Sequence, residues 1–301
     1  MPTKLLRRAT ALALMFLAPA AFAQTAAPAV TRDADPALWV VKDDDTTIYL
    51  FGTVHLLKPG LSWFDEAVRK AFDASDELVT ELGGTPDPAA VQPVMMKYGI
   101  RMDGPALTQQ LPEGKRAAFA KALAEFGLPQ MVVDRFEPWL AGTQLSMMTL
   151  VKAGYDPKSG VEEALNEAAS AANKPVSGLE TIEQQFGFFD SLSREAQLLM
   201  LTEAIDKLDS AADEFDKLVG EWAEGDAEGL AAIMNEGLRS SPELSKVLLA
   251  DRNARWADWI KARLDKPGVV FVAVGAGHLA GSDSVQSVLA KRAVTSERIR
   301  Y

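Results

Sequence analysis

Val269-Val270-Phe271-Val272-Ala273-Val274-Gly275-Ala276-Gly277-His278 is an apolar run that ends in two closely spaced glycines and an imidazole. Six apolar residues without alternation, four of them valines, read as a strand buried on both faces, as inside a parallel sheet. The glycines then allow a tight turn and close backbone approach just past it. The same setting recurs near the other end of the chain, where Thr47-Ile48-Tyr49-Leu50-Phe51 runs into Gly52-Thr53-Val54-His55. Both histidines of the protein thus close a Gly-x-x-His unit, 223 residues apart. Imidazole is the side chain best suited to hold a metal or carry protons near neutral pH. Its confinement to this matched pair points to one chemical site, assembled by the fold.

The flanking segments extend the α/β pattern. Leu38-Trp39-Val40-Val41 and the strand ending at Phe51 flank Lys42-Asp43-Asp44-Asp45-Thr46, which predicts a hairpin. The three aspartates lack the glycine and distal glutamate of a calcium loop and read as a solvated turn. Helical spacing of Trp63, Phe64, Ala67, Val68 and Phe72 predicts a helix over 62–74, followed by a strand at 77–82 and Gly83-Gly84. Strand, helix and strand make a βαβ unit, which implies a parallel pair. From Asp87 to Asp265 the chain reads as helical, with one small strand candidate at 174–180. After the run at 269–274, Ser282 opens a helix to Lys291, and 297–301 is a final edge strand. The expected fold is α/β: a mainly parallel sheet built from the N- and C-terminal segments, with a large helical middle region over 87–265.

Residues 1–23 read as a secretory signal peptide. Lys4, Arg7 and Arg8 precede a short apolar stretch, and Ala21-Phe22-Ala23 supplies the small-x-small cleavage signature. Cleavage is expected after Ala23, giving a periplasmic or secreted protein with no transmembrane anchor. Residues 24–36 are expected to be a disordered leader, and 37–301 a single domain. There is no cysteine, so the fold must stand on its hydrophobic core and thiol catalysis is impossible. Removing the signal takes away three cations and no acid, moving the net charge from −11 to −14. Such a surface repels phosphate backbones, and nucleic-acid binding is not expected.

Functional groups of parallel sheets collect beyond the carboxyl ends of the strands. His55, Glu81 and His278 all occupy that position, with Glu77 an alternative acid on the same strand as Glu81. Two imidazoles and one carboxylate are a ligand set used by catalytic zinc and related divalent ions. Gly275-Ala276-Gly277-His278-Leu279-Ala280 formally matches a dinucleotide fingerprint, but too little chain follows to build the rest of that fold. A helix-borne His-Glu-x-x-His site is absent.

Leu50 to Leu57 and Val272 to Gly281 resemble the paired signatures of the TraB/PrgY/GumN family. The resemblance extends to Glu81, Phe136-Glu137-Pro138-Trp139, Gly178-Leu179-Glu180-Thr181 with Gln184-Gln185, and Asp251-Arg252-Asn253. It implies a fold of the erythromycin-esterase/ChaN-like type. It also implies kinship with the Tiki proteins, divalent-metal-dependent proteases that rely on two Gly-x-x-His motifs and a glutamate. Carried over, His55, Glu81 and His278 become metal ligands and catalytic residues, and Arg252 a fourth site residue. Arg252 would stabilise an oxyanion or anchor a substrate carboxylate, unless it is a structural ion pair.

The expected function is a periplasmic metal-dependent hydrolase acting on a peptide or protein substrate, with manganese, cobalt or zinc as cofactor and Glu81 as third ligand or general base. Two alternatives stand beside it. One is a non-catalytic peptide-sequestering protein with Trp139, Trp222, Met147 and Met148 along an apolar groove. The other is a metal-independent, esterase-like hydrolase in which a histidine is the base.

Overall fold

The computed structural model describes residues 32–238 and 241–301. The expected signal peptide and residues 24–31 of the leader lie outside the described residues. Eight strands are present among those described: β1 (Arg32–Asp33), β2 (Leu38–Lys42), β3 (Thr46–Thr53), β4 (Leu61–Ser62), β5 (Glu77–Thr80), β6 (Val176–Gly178), β7 (Gly268–Gly275) and β8 (Ser296–Ile299). Six form one mixed sheet in the order β6-β5-β7-β3-β2-β8, and β1 and β4 make a small parallel pair of their own. The end of the expected leader is therefore paired structure. Ala34 is buried, and its N–H donates to the Ser62 carbonyl (2.8 Å).

β6, β5, β7 and β3 are parallel neighbours, whereas β2 runs antiparallel to both β3 and β8. The β2–β3 connection is too short for a crossover, so β2 has to reverse. Asp43 closes that turn, its Oδ1 accepting from the N–H groups of Asp45 (3.2 Å) and Thr46 (2.8 Å). The sheet is thus mixed rather than mainly parallel throughout.

β3 and β5, read from sequence as a parallel pair, are parallel but not adjacent. β7 lies between them, with Ile48 opposite Val270 and Leu78 opposite Phe271. Residues 270–274 are all at most 2% exposed, which only a central strand covered on both faces allows. Phe271 and Ala273 pack with Phe51, Phe72, Leu78 and Trp63 on one face. Val270, Val272 and Val274 pack with Ile48, Leu50, Trp256 and Ile260 on the other. Each such valine or phenylalanine contributes about 1.5–3 kcal/mol on burial.

The middle of the chain is helical, with its own core of Leu107, Phe119, Leu145, Leu201 and Ile205. Two sequence expectations change here. The helix expected over 62–74 is Glu66–Ala74, because Leu61–Ser62 is taken by the pairing with β1. The helix expected over 242–265 is interrupted: a short turn Pro242–Ser245 leads into a π-helical turn at Lys246–Ala250, and only then does Asp251–Arg263 follow. The helix Ala227–Leu238 lies within the expected helical region.

Candidate functional site

Because β6, β5, β7 and β3 are parallel, their carboxyl ends line up along one edge. Thr53 stands opposite Gly275, and Thr80 opposite both Ala273 and Gly178. His55, Glu81, Glu180 and His278 each lie within three residues of those ends. His55, Glu81, Arg252 and His278 border a single cleft of about 260 Å³. A larger recess of about 570 Å³, beside Trp39, Arg298 and Tyr301, contains neither histidine. Glu77, the alternative acid, sits at the far end of β5 and pairs with Arg263 (3.1 Å).

Two glycines allow the turns to close. A Cβ on Gly52 would stand 3.0 Å from Ala276 Cα, so the two Gly-x-x-His turns touch through bare backbone. Gly160 has no room for a side chain beside the His55 carbonyl. The N-terminus of the helix Val161–Ala171 can therefore close on that turn, with Val161 N–H donating to Val54 O (3.0 Å). This brings Glu162 to His55, Nδ1 to Oε1 at 2.7 Å. That hydrogen bond raises His55 to about 9, against the opposing effect of burial. The ring is still 66% exposed, so solvent screens the pairing.

His278 is the opposite case. Burial lowers its pKa to about 3, and the Arg252 charge adds to the effect. Nδ1 lies 2.6 Å from Asn253 Oδ1, which leaves Nε2 with the lone pair. Trp256 packs on the ring, centroid to centroid 4.3 Å. Burial works to raise Glu81, but Arg252, His278 and the N–H of Gly275 (2.9 Å) together hold it down at about 2.

Arg252 is the hub. Its Nε donates to Glu180 (3.0 and 3.1 Å), and Nη2 to Glu180 (2.7 Å) and Glu81 (2.6 Å). Nη1 reaches the Leu248 carbonyl (3.3 Å) and His278 Nε2 (3.2 Å). All five N–H groups of the guanidinium are engaged. The π-helical turn supplies the Leu248 contact, a common use of such bulges. Gln185 adds Nε2 bonds to Glu81 (2.9 Å) and Glu180 (3.2 Å), and Trp256 Nε1 bonds Glu180 (3.1 Å). Of the two sequence readings of Arg252, this geometry favours the ion pair.

The structure brings the expected ligands to one cleft, but the donors do not fit a divalent cation as they stand. The His278 Nε2 lone pair and one Glu81 oxygen already face the Arg252 guanidinium, and His55 is held protonated by Glu162. Glu81 Oε1 is 4.0 Å from His278 Nε2. Among the described residues no group of three or more His, Cys, Asp or Glu side chains is arranged around a common ion position.

Sequence reasoning missed Glu162, Glu180 and Asn253 as site residues. Glu180 carried a usable signal, since it ends the strand candidate at 174–180 and belongs to one of the blocks of the family resemblance. Asn253 stood beside Arg252 in one of the blocks of the family resemblance, whereas Glu162, at the start of a helix, carries no local mark. Trp139 and Trp222, expected with Met147 and Met148 along an apolar groove, are both buried rather than exposed along one. Their indole N–H groups donate to Tyr98 O (3.3 Å) and Gly52 O (2.8 Å).

The chain belongs to the TraB/PrgY/gumN family, which it matches over residues 37–298. It is similar to an uncharacterized protein of Treponema pallidum (strain Nichols), 24% identical over 283 residues, covering 89% of this chain and 84% of the relative. It is also similar to the uncharacterized protein YbaP of Escherichia coli (strain K12), 23% identical over 256 residues, covering 84% of this chain and 92% of that protein. No solved structure matches the chain.

Proposed function

We propose that this family member is a hydrolase of carbonyl-centred bonds, ester or peptide, with His55 as general base and no resident metal ion. The observation that carries the reading is the His55–Glu162 pair opening on the cleft that holds Glu81, Arg252 and His278. As pH rises towards its pKa of about 9 the His55 ring becomes neutral and offers Nε2 to a water, while Glu162 keeps the Nδ1 proton in place and stabilises the imidazolium that forms. The proton taken from the water then passes to the leaving group. Buried, uncharged His278 and rigidly held Glu81 shape the wall against which the carbonyl rests. Arg252, fully bonded, positions both rather than touching substrate.

A second reading, a metal-dependent peptidase using manganese, cobalt or zinc, has one observation in its favour. Asn253 holds His278 in the tautomer whose Nε2 faces Glu81 and Arg252, as outer partners orient ligand histidines. A cation there would have to displace Arg252. We place the protein outside the cytoplasm, on the strength of the signal-like residues 1–23. No helix among the described residues is long and apolar enough to cross a membrane.

The test is turnover of p-nitrophenyl esters and fluorogenic peptides by purified protein, with and without chelator, beside His55→Ala and Glu162→Ala. Activity that survives chelation and disappears in His55→Ala supports the proposal. Activity abolished by chelation and restored by one divalent ion replaces it with the second reading.

A further inference from the structure

Besides the polar cluster, the cleft is lined by the apolar side chains of Phe215, Leu218, Leu230, Met234 and Leu249. Phe215, Leu218 and Met234 also border a second recess of about 360 Å³, which continues past Leu150, Met200 and Ile233. Three polar side chains at its edge, those of Thr149, Lys207 and Glu214, are already bonded. Thr149 Oγ1 donates to the Leu145 carbonyl (2.8 Å), and Lys207 Nζ pairs with Glu214 (2.7 Å), which also accepts from Ser210 (2.9 Å). A peptide backbone laid against the apolar lining would find few partners for its N–H and C=O groups, whereas a hydrocarbon chain has none to satisfy. Met234 stands where the two spaces meet. Its thioether rests on Gly277 of the His278 turn, where a Cβ would lie 2.6 Å from the sulfur. An unbranched methionine rotates readily, so a change of its rotamer can join or separate the two spaces.

We propose that the second recess receives an aliphatic acyl chain of the substrate, with Met234 setting the chain length accepted. The position of the scissile carbonyl, in the cleft between the two histidines, rests on the hydrolase reading above; the binding of the chain does not. Burial of methylenes in the recess makes affinity grow with chain length, up to the point where the space is full.

The probes are butyric, octanoic and dodecanoic acids, titrated by calorimetry, and the p-nitrophenyl esters of the same acids for turnover. Octanoate is expected to bind tenfold or more tighter than butyrate. Met234→Trp is expected to lower octanoate affinity tenfold or more, and Leu150→Asn, further along the recess, to weaken dodecanoate more than octanoate. Circular dichroism and melting of each variant report that it is folded. Equal affinity for short and long acids, or octanoate binding undiminished in folded Met234→Trp, overturns the proposal. Chain-length-dependent binding without hydrolysis of any ester sinks the hydrolase reading and leaves the acyl site standing.

Discussion

Asn253 Oδ1 lies 2.6 Å from His278 Nδ1, and the other end of the same amide donates to the Asp283 carbonyl at 2.8 Å. The second bond fixes which way the amide points, and so which ring nitrogen of His278 carries the proton. Asn253→Asp places an anion on that nitrogen. The His278 pKa is expected to climb well above its value of about 3. With two histidines in the chain, the imidazole resonances are assignable by comparison with His55→Asn, and NMR titration reads the shift directly. An unmoved His278 titration would contradict the tautomer assigned above.

The two imidazoles pull stability in opposite directions with pH. His278 is depressed from 6.5 to about 3 in the fold, so its contribution is present above about pH 6.5 and lost as pH falls towards 3. Glu81, depressed from 4.5 to about 2, adds a further loss below about pH 4.5. His55 is raised from 6.5 to about 9, so its contribution is full below about pH 6.5 and lost as pH rises towards 9. Its exposed ring keeps that contribution small. Urea midpoints from pH 3 to 10 are expected to fall less steeply on the acid side in His278→Asn. In His55→Asn they are expected to fall less steeply on the alkaline side. Parallel curves in all three proteins would be inconsistent with these environments.

Removing the hub should cost more than any single contact suggests. Arg252→Met leaves Glu81 and Glu180 buried without their cation, and about 3–5 kcal/mol of stability is expected to be lost by chemical denaturation. Arg252→Lys should recover little of it, because an ammonium cannot reproduce the planar fork that bonds both carboxylates at once. Full recovery with lysine would mean that charge alone, not geometry, matters at this position.

Glu162→Gln removes the partner that raises His55. If His55 is the base, activity rises with pH through its pKa, so the limb near pH 9 is expected to move down towards 6.5. The quantity to follow is log kcat/KM against pH. A limb that stays in place assigns it to another group.

How far the sequence carried this picture depends on range. The strand at 269–274 and both Gly-x-x-His turns were legible because burial on two faces leaves a continuous apolar run, and a tight turn needs glycine. Glu81 was legible because it directly follows a strand. The insertion of β7 between β3 and β5 was not, since strand order is settled by packing between distant segments. Glu162 reaches His55 only because Gly160 lets a helix end approach that turn, a relation between residues more than a hundred positions apart. Competition between Arg252 and a cation for His278 and Glu81 was hidden for the same reason. A list of possible ligands does not tell which of them already have partners.

The middle place of β7 also bears on when during synthesis the protein becomes competent. A ribosome makes this strand after the whole helical region, yet it separates β3 from β5 and leads into the turn with the second imidazole. A nascent polypeptide that has emerged only as far as the helical region has a gap at the heart of its sheet, with Phe51 and Leu78 each lacking the strand partner on one side. Stop codons ahead of residue 268 should therefore yield products that neither fold nor react, and emergence of this strand becomes the event that switches the molecule on.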